Sequence, residues 1–144
     1  RGSEFVTRKI TLAAANIRLG HQDDIHLGNL AAKRDWGHAK DYVKAMWLML
    51  QQDIPDDYVI STGETHSVDE FLKQVWESAE LGNPQRHLKI NEKYFRPQEV
   101  PYLLGDCSKA KRVLGWKPKY DFKALADDMY QQDFAKLVST KGWK

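Results

Sequence analysis

Apolar positions recur at helical spacing in five stretches of this chain and at strand-like spacing in three short ones. Val6, Ile10, Ala13, Ala14 and Ile17 predict a helix over Val6–Leu19, with Gly20 in the C′ position that stops it. Arg8, Lys9 and Arg18 are the cations along it. Beyond a polar loop at His21–Asp24, Ile25–Leu27 reads as a short strand turned by Gly28-Asn29. A polar ribbon, Lys33-Arg34-Asp35-Trp36, leads into a helix from about His38 to Gln51. Its apolar face is Ala39, Tyr42, Val43, Met46, Trp47 and Leu50, with Lys40, Asp41 and Lys44 opposite. Leu48 and Met49 widen the stripe, which predicts burial on more than one side.

Tyr58-Val59-Ile60-Ser61, bounded by Thr62-Gly63, predicts a strand inside a parallel sheet, although no partner for it stands out in the chain. Ser67-Val68-Asp69-Glu70 is a capping box that opens a helix with Val68, Phe71, Leu72, Val75, Trp76 and Ala79 on one side. Gly82-Asn83-Pro84 ends it. His87–Tyr94 reads as a short strand because Leu88 and Ile90 alternate with polar residues, and Tyr94-Phe95-Arg96-Pro97 as a stiff loop. Ser108 caps a short helix that Gly115 stops after Leu114. Trp116-Lys117-Pro118 is an extended link. Asp121 then caps a last helix with apolar contacts at Phe122, Leu125, Met129, Phe134 and Leu137. The order helix, strand, helix, strand, helix, strand, helix, helix indicates an α/β fold with few short strands and several packed helices.

Composition narrows the classes. At 144 residues the chain has one domain's length, and five Trp, six Tyr and five Phe argue for a packed core. The net charge of +2 comes from interleaved acids and bases, without the basic patch of a nucleic-acid binder. Cys107 stands alone, so no intrachain disulfide can form, which suits a reducing, cytoplasmic compartment. No apolar run reaches the roughly 18 residues of a membrane span, and no signal peptide is visible. Arg1-Gly2-Ser3 matches what a tag-cleavage site leaves behind, so residues 1–4 are set aside as a cloning remnant. One domain is expected over residues 5–138, with a frayed tail at 139–144.

Several chemistries have no residues to carry them. The chain holds no G-x-G-x-x-G turn, no P-loop, no H-E-x-x-H and no cysteine cluster. Its histidines are scattered, and Cys107 has no histidine close in sequence to activate it. No Tyr-x-x-x-Lys pair occurs at Tyr42 or Tyr94. Asp35 and Asp41 read as a salt-bridge partner and a solvated acid rather than a catalytic couple. What remains are anion-binding cations, Lys9, Arg34 and Arg96, and a carboxylate at Glu99 suited to sugar hydroxyls. Each of these also reads as an ordinary surface charge, and the pattern alone does not choose a ligand.

Phe5–Ile10 (FVTRKI), Leu27–Gln51 (LGNLAAKRDWGHAKDYVKAMWLMLQ), Tyr94–Val100 (YFRPQEV) and Leu104–Pro118 (LLGDCSKAKRVLGWKP) together resemble the GDP-mannose 4,6-dehydratases. These belong to the extended short-chain dehydrogenase/reductase family. LGWKP recurs in many nucleotide-sugar enzymes; RDWGHAKDYV together with YFRPQEV is far more specific. The resemblance runs from about Phe5 to Leu137 and implies the C-terminal, substrate-binding part of an extended Rossmann-type enzyme. The NADP-binding half and the catalytic groups would lie upstream, so no catalytic residue is expected here.

By that likeness Val6, Lys9, Leu27, Gly28, Asn29, Arg34, Arg96 and Glu99 are substrate-binding positions. Lys9, Arg34 and Arg96 would face the diphosphate, Glu99 a ribose hydroxyl, and Leu27-Gly28-Asn29 would lie near the nucleotide. Arg1 would contact NADP if it is native, and Glu4 stands where the family often has Asn. Glu80–Asn91 is shorter than in many members. The implied reaction takes a hydride from hexose C4 to NADP, eliminates water across C5–C6 and returns the hydride at C6. Its product is GDP-4-keto-6-deoxymannose, the precursor of GDP-fucose. GDP-mannose is the implied partner, with a homo-oligomer for the full-length protein, and the chain alone is expected to be inactive. The alternatives are a related epimerase or dehydratase acting on another nucleotide sugar, and a non-catalytic binding or assembly module.

Overall fold

The structure, a computed structural model, describes residues 2–141. These form two compact units, the first from residues 2–32, 67–101 and 126–141, the second from Lys33–His66 and Tyr102–Leu125. Among the described residues five α-helices and four short strands follow one another in the order α1 (Val6–Arg18), β1 (Ile25–Leu27), β2 (Lys33–Arg34), α2 (Ala39–Met49), β3 (His66–Ser67), α3 (Val68–Ser78), β4 (Leu88–Ile90), α4 (Ser108–Leu114) and α5 (Phe122–Lys141). The α/β class expected from the sequence is what forms.

In the first unit α1 packs on α3. The capping box at the start of α3 is present in full. The Ser67 N–H donates to the Glu70 carboxylate at 2.6 Å, and the Glu70 N–H donates to Ser67 Oγ at 3.1 Å. Every apolar position expected on the inner face of α3 is buried, from Val68 to Ala79. The helix ends differently from expectation. Leu81 N–H reaches back to the Trp76 carbonyl at 3.1 Å, which fixes the left-handed residue at Glu80 (φ 55°), ahead of Gly82. β1 and β4 pair in parallel, with Ile25 opposite Leu88 and Leu27 opposite Ile90. The strand expected over His87–Tyr94 is therefore only three residues long, and a 3₁₀ turn at Glu92–Tyr94 takes over.

Polar groups also sit in this core. Thr11 is fully buried, and its hydroxyl donates to Asp133 Oδ2 at 2.7 Å. Arg8 pairs with the other Asp133 oxygen at 2.8 Å. Ser78 Oγ donates to Asp127. Helix α5 is helical to Lys141, so the first three residues of the expected frayed tail are ordered as helix, and 142–144 lie outside the described residues.

In the second unit α2 packs on α4 around Ala45, Cys107, Ala110, Leu114 and Trp116, with Tyr42, Leu48, Met49, Tyr58 and Ile60 against them. Leu103 N–H donates to the Lys33 carbonyl at 3.1 Å, and Lys33 makes a parallel bridge with Tyr102. β2 also pairs with β3, at the residues where the chain enters and leaves this unit. The thiol of Cys107 is a buried core group. Gly115 stops α4 at φ 61°, as expected, while the N-terminal bond comes from Asp106, which accepts from Ser108 N–H at 2.9 Å. Ser108 is thus the first helical residue and not the cap.

Three expectations for this unit are corrected. Val43, Met46, Trp47 and Leu50, expected to be buried, are all more than half exposed, and Ala45 is the fully buried residue of α2. Asp41, expected to be solvated, is buried: its Oδ2 accepts from the Lys119 and Tyr120 N–H groups, each at 3.0 Å, and its carbonyl accepts from Trp116 Nε1 at 2.9 Å. Tyr58–Ser61 forms no strand, because among the described residues no second strand takes up its backbone groups. The outer face of α2, the turn after it and this unpaired segment leave apolar side chains open, with Leu50 82%, Ile54 79% and Val59 55% exposed. Self-association is expected. Light scattering should give an apparent mass that rises with concentration and falls back to 16.7 kDa in a Trp47→Glu/Leu50→Glu variant; a wild-type monomer at high concentration would contradict it.

Candidate functional site

Seven of the eight predicted substrate-binding residues, Val6, Lys9, Leu27, Gly28, Asn29, Arg96 and Glu99, belong to the first unit, and Arg34 belongs to the second. Arg1 lies outside the described residues.

In the first unit α1 carries Val6 and Lys9, both half-buried, one turn apart along the helix. β1 ends in the turn Gly28-Asn29, where Asn29 Oδ1 accepts from Ala31 N–H at 2.9 Å. The Leu27 carbonyl accepts from Asn91 N–H at 2.8 Å, which continues the β1–β4 pairing by one more bond. Asn91 then starts the 3₁₀ turn, its side chain accepting from Lys93 N–H at 3.0 Å. This places the Tyr94 carbonyl directly over Gly28. A Cβ at residue 28 would lie 2.5 Å from that oxygen, a separation that no alanine tolerates without moving the backbone. From the other side the Lys9 ammonium sits over the Tyr94 ring, 3.4 Å from its centroid. So α1, the β1 turn and the segment entering YFRPQEV meet at Lys9, Gly28 and Tyr94. Arg96 follows on the exposed surface, and Glu99 is half-buried.

Tyr94, which the sequence did not single out, is the residue that touches both Lys9 and Gly28. The sequence marks it only as the first residue of the Tyr94-Phe95-Arg96-Pro97 loop; its place beside Gly28 follows from the pairing of β1 with β4.

In the second unit Arg34 lies on β2, and its Nη1 donates to the Lys33 carbonyl at 2.8 Å. The neighbouring Asp35 is not the salt-bridge partner that the sequence suggested. Its carboxylate accepts from Thr62 N–H (2.9 Å), Thr62 Oγ1 (2.7 Å), Gly63 N–H (3.0 Å) and Gly105 N–H (3.3 Å). Asp35 therefore ties the residue after Arg34 to two separate loops of the same unit, which fixes the ribbon that carries Arg34.

A shallow cavity of ≈ 230 Å³ also opens in this unit between Trp36, Glu64, His66, Tyr120 and Phe122. The His66 and Phe122 rings stack there at 3.8 Å. It is smaller than the roughly 300 Å³ at which ligand pockets begin, and no predicted site residue lines it. Among the described residues no group of His, Cys, Asp or Glu side chains could hold a metal ion, and no helix is long and apolar enough to cross a membrane. β3 runs straight into α3 through the Ser67 cap with no glycine between them, so this strand-to-helix turn does not fit a dinucleotide pyrophosphate.

Comparison with known proteins decides the family. The family model described as GDP-mannose 4,6 dehydratase matches residues 1–129. The chain belongs to the GDP-mannose 4,6-dehydratase family. It is 51% identical to the GDP-mannose 4,6 dehydratase of Cricetulus griseus over 92% of its length. It is 54% identical to GDP-mannose 4,6 dehydratase 1 of Arabidopsis thaliana, again over 92%. It spans only 40% and 37% of those two relatives. Among solved structures, RMD from Pseudomonas aeruginosa, complexed with NADPH, superposes with a TM-score of 0.81 at 19% identity, over 94% of this chain and 44% of that one. The dTDP-glucose 4,6-dehydratase of Bacillus anthracis, in complex with NAD, gives 0.77 at 20% identity, over 100% of this chain and 43% of that one. These likenesses show that this chain shares its fold with part of each of those two larger chains.

Proposed function

We propose that this chain is the nucleotide-sugar-binding part of a GDP-mannose 4,6-dehydratase, and that the whole protein converts GDP-mannose to GDP-4-keto-6-deoxymannose. The observation that supports it most is the half-identical match to dehydratases of that name over nearly the full chain. Lys9, Arg34 and Arg96 bind the diphosphate, Glu99 accepts from a ribose hydroxyl, and Val6 with Leu27, Gly28 and Asn29 lines the nucleotide. Arginine guanidiniums meet phosphate oxygens two at a time in a plane, and a lysine adds a compact third charge. Held this way, the hexose is oriented for chemistry that the chain itself does not perform.

NADP, when bound to the whole protein, supplies the reversible hydride acceptor; its site belongs mainly to the portion of the relatives beyond this chain, and no residue here is assigned to it unless Arg1 is native. The whole protein works as a homo-oligomer in the cytoplasm, a setting that suits the buried Cys107 thiol.

Titration calorimetry with GDP, UDP and dTDP tests the substrate class. GDP is expected to bind weakly and more tightly than the other two. Arg34→Ala is expected to remove detectable GDP binding, because a charge-assisted pair is worth about 1.5–3 kcal/mol, or roughly 10- to 150-fold. Equal affinity for all three nucleotides, or an unaffected Arg34→Ala variant, would count against the assignment.

A further inference from the structure

We propose that Tyr94 is a positioning residue for nucleotide-sugar binding: its ring holds the Lys9 ammonium by a cation–π contact and presents it to the diphosphate. The inference rests on the reading of Lys9 as a diphosphate ligand and adds to it a residue that no motif assigns.

A lysine ammonium rides on four rotatable methylenes, and fixing it on a ligand costs side-chain entropy. A ring that already seats the ammonium removes part of that cost before the ligand arrives. The geometry meets this requirement. Lys9 Nζ lies 3.4 Å from the Tyr94 ring centroid, well inside the roughly 6 Å range of a cation–π contact. Only one side of the ammonium faces the ring, so donors remain for an anion on the other side.

The seat itself is held by backbone and does not depend on the tyrosine side chain. Tyr94 N–H donates to the Asn91 carbonyl at 3.0 Å, Asn91 N–H donates to the Leu27 carbonyl at 2.8 Å, and the Tyr94 carbonyl closes on Gly28. The same glycine that the family resemblance places near the nucleotide thus sets the height of the ring under Lys9. Tyr94 is also 46% exposed, so its ring is not required to fill a core. Trimming it leaves these backbone contacts in place.

The test is a double-mutant cycle read as GDP affinity by calorimetry on the full 144-residue chain. Tyr94→Ala is expected to weaken binding about three- to tenfold, the range of a partly exposed cation–π pair, and Tyr94→Phe to stay within about twofold of wild type because the ring face remains. In a Lys9→Ala background, Tyr94→Ala is expected to have no further effect, which a merely structural role for the ring would not produce. The same variants are read by proton NMR without ligand. Ring-current upfield shifts of the Lys9 ε-methylene are expected in wild type and Tyr94→Phe and lost in Tyr94→Ala, with the Gly28 amide unmoved. Wild-type affinity in Tyr94→Ala, or an equal loss with and without Lys9, overturns this inference while leaving the proposed function standing. Absence of GDP binding by the wild-type chain overturns both.

Discussion

Replacing Trp116 by alanine is expected to be the most damaging single change in the second unit. The indole is 1% exposed and packs with Ala45, Cys107, Ala110 and Leu114. Removing a buried tryptophan costs about 3–5 kcal/mol in lost contacts and residual cavity. Its Nε1–H also donates to the Asp41 carbonyl at 2.9 Å, so the variant leaves that carbonyl without its donor, a further cost of about 1 kcal/mol. The same aspartate receives the Lys119 and Tyr120 N–H groups, so α2 and the link after Trp116 are held by one residue from both ends. Hydrogen exchange followed by mass spectrometry should show α2 and α4 exchanging at least a hundredfold faster in Trp116→Ala, about 3 kcal/mol or more. Trp116→Phe keeps a ring but not the donor and should fall between the two. Unchanged protection of α4 in Trp116→Ala would contradict the packing described.

Asp133→Ala is expected to be comparably harmful in the first unit, for an electrostatic reason. Asp133 is 4% exposed and joins the Arg8 guanidinium to the Thr11 hydroxyl, 122 residues away in sequence. Deleting one partner of a buried ion pair costs about 3–5 kcal/mol, because the remaining charge stays desolvated. Two features pull the estimate to the lower end. The Arg8 side chain retains 27% of its exposure, and Thr11 Oγ1 can fall back on the Arg8 carbonyl at 3.2 Å. A loss of about 3 kcal/mol is therefore expected in urea unfolding followed by circular dichroism, and a somewhat smaller one in Asp133→Asn, whose single side-chain oxygen can accept only one of the two hydrogen bonds. A loss below about 1 kcal/mol for Asp133→Ala would mean that Arg8 and Thr11 find equal partners without it.

Neither of these polar contacts was legible in the sequence, and the reason is physical. Apolar spacing marks α1 and α5 as helices, but it says nothing of Thr11 and Asp133, polar residues far apart in the chain that only the fold brings together. Asp41 misled in the same way: it falls on the polar side of α2 and yet ends up buried, because the backbone after Trp116 runs against that side. By contrast α3 was readable to its last buried residue, since its cap is local and its apolar face meets α1 within the first unit. The outer face of α2 and the Tyr58–Ser61 segment carry the composition of buried elements without being buried. Hydropathy records what a residue needs, and it does not say whether the partner is present.

The candidate site divides along the same line. The cations were singled out as anion-binding groups from the residues themselves, and their roles and that of Gly28 came from a resemblance to a family; the comparison shows the family and does not reach the individual residues. The contact between Lys9 and Tyr94, and the reason residue 28 must lack a Cβ, needed coordinates, because both depend on the parallel pairing of β1 with β4.

Phosphorus NMR of GDP titrated with the purified chain tests the central claim most directly, because it observes the diphosphate that Lys9, Arg34 and Arg96 are assigned to hold. Both phosphorus resonances are expected to shift and broaden as the chain is added, and to stay at their free positions with a Lys9→Ala/Arg34→Ala/Arg96→Ala variant. Resonances that remain unshifted with excess wild-type chain, or that shift equally with the triple variant, would contradict the account.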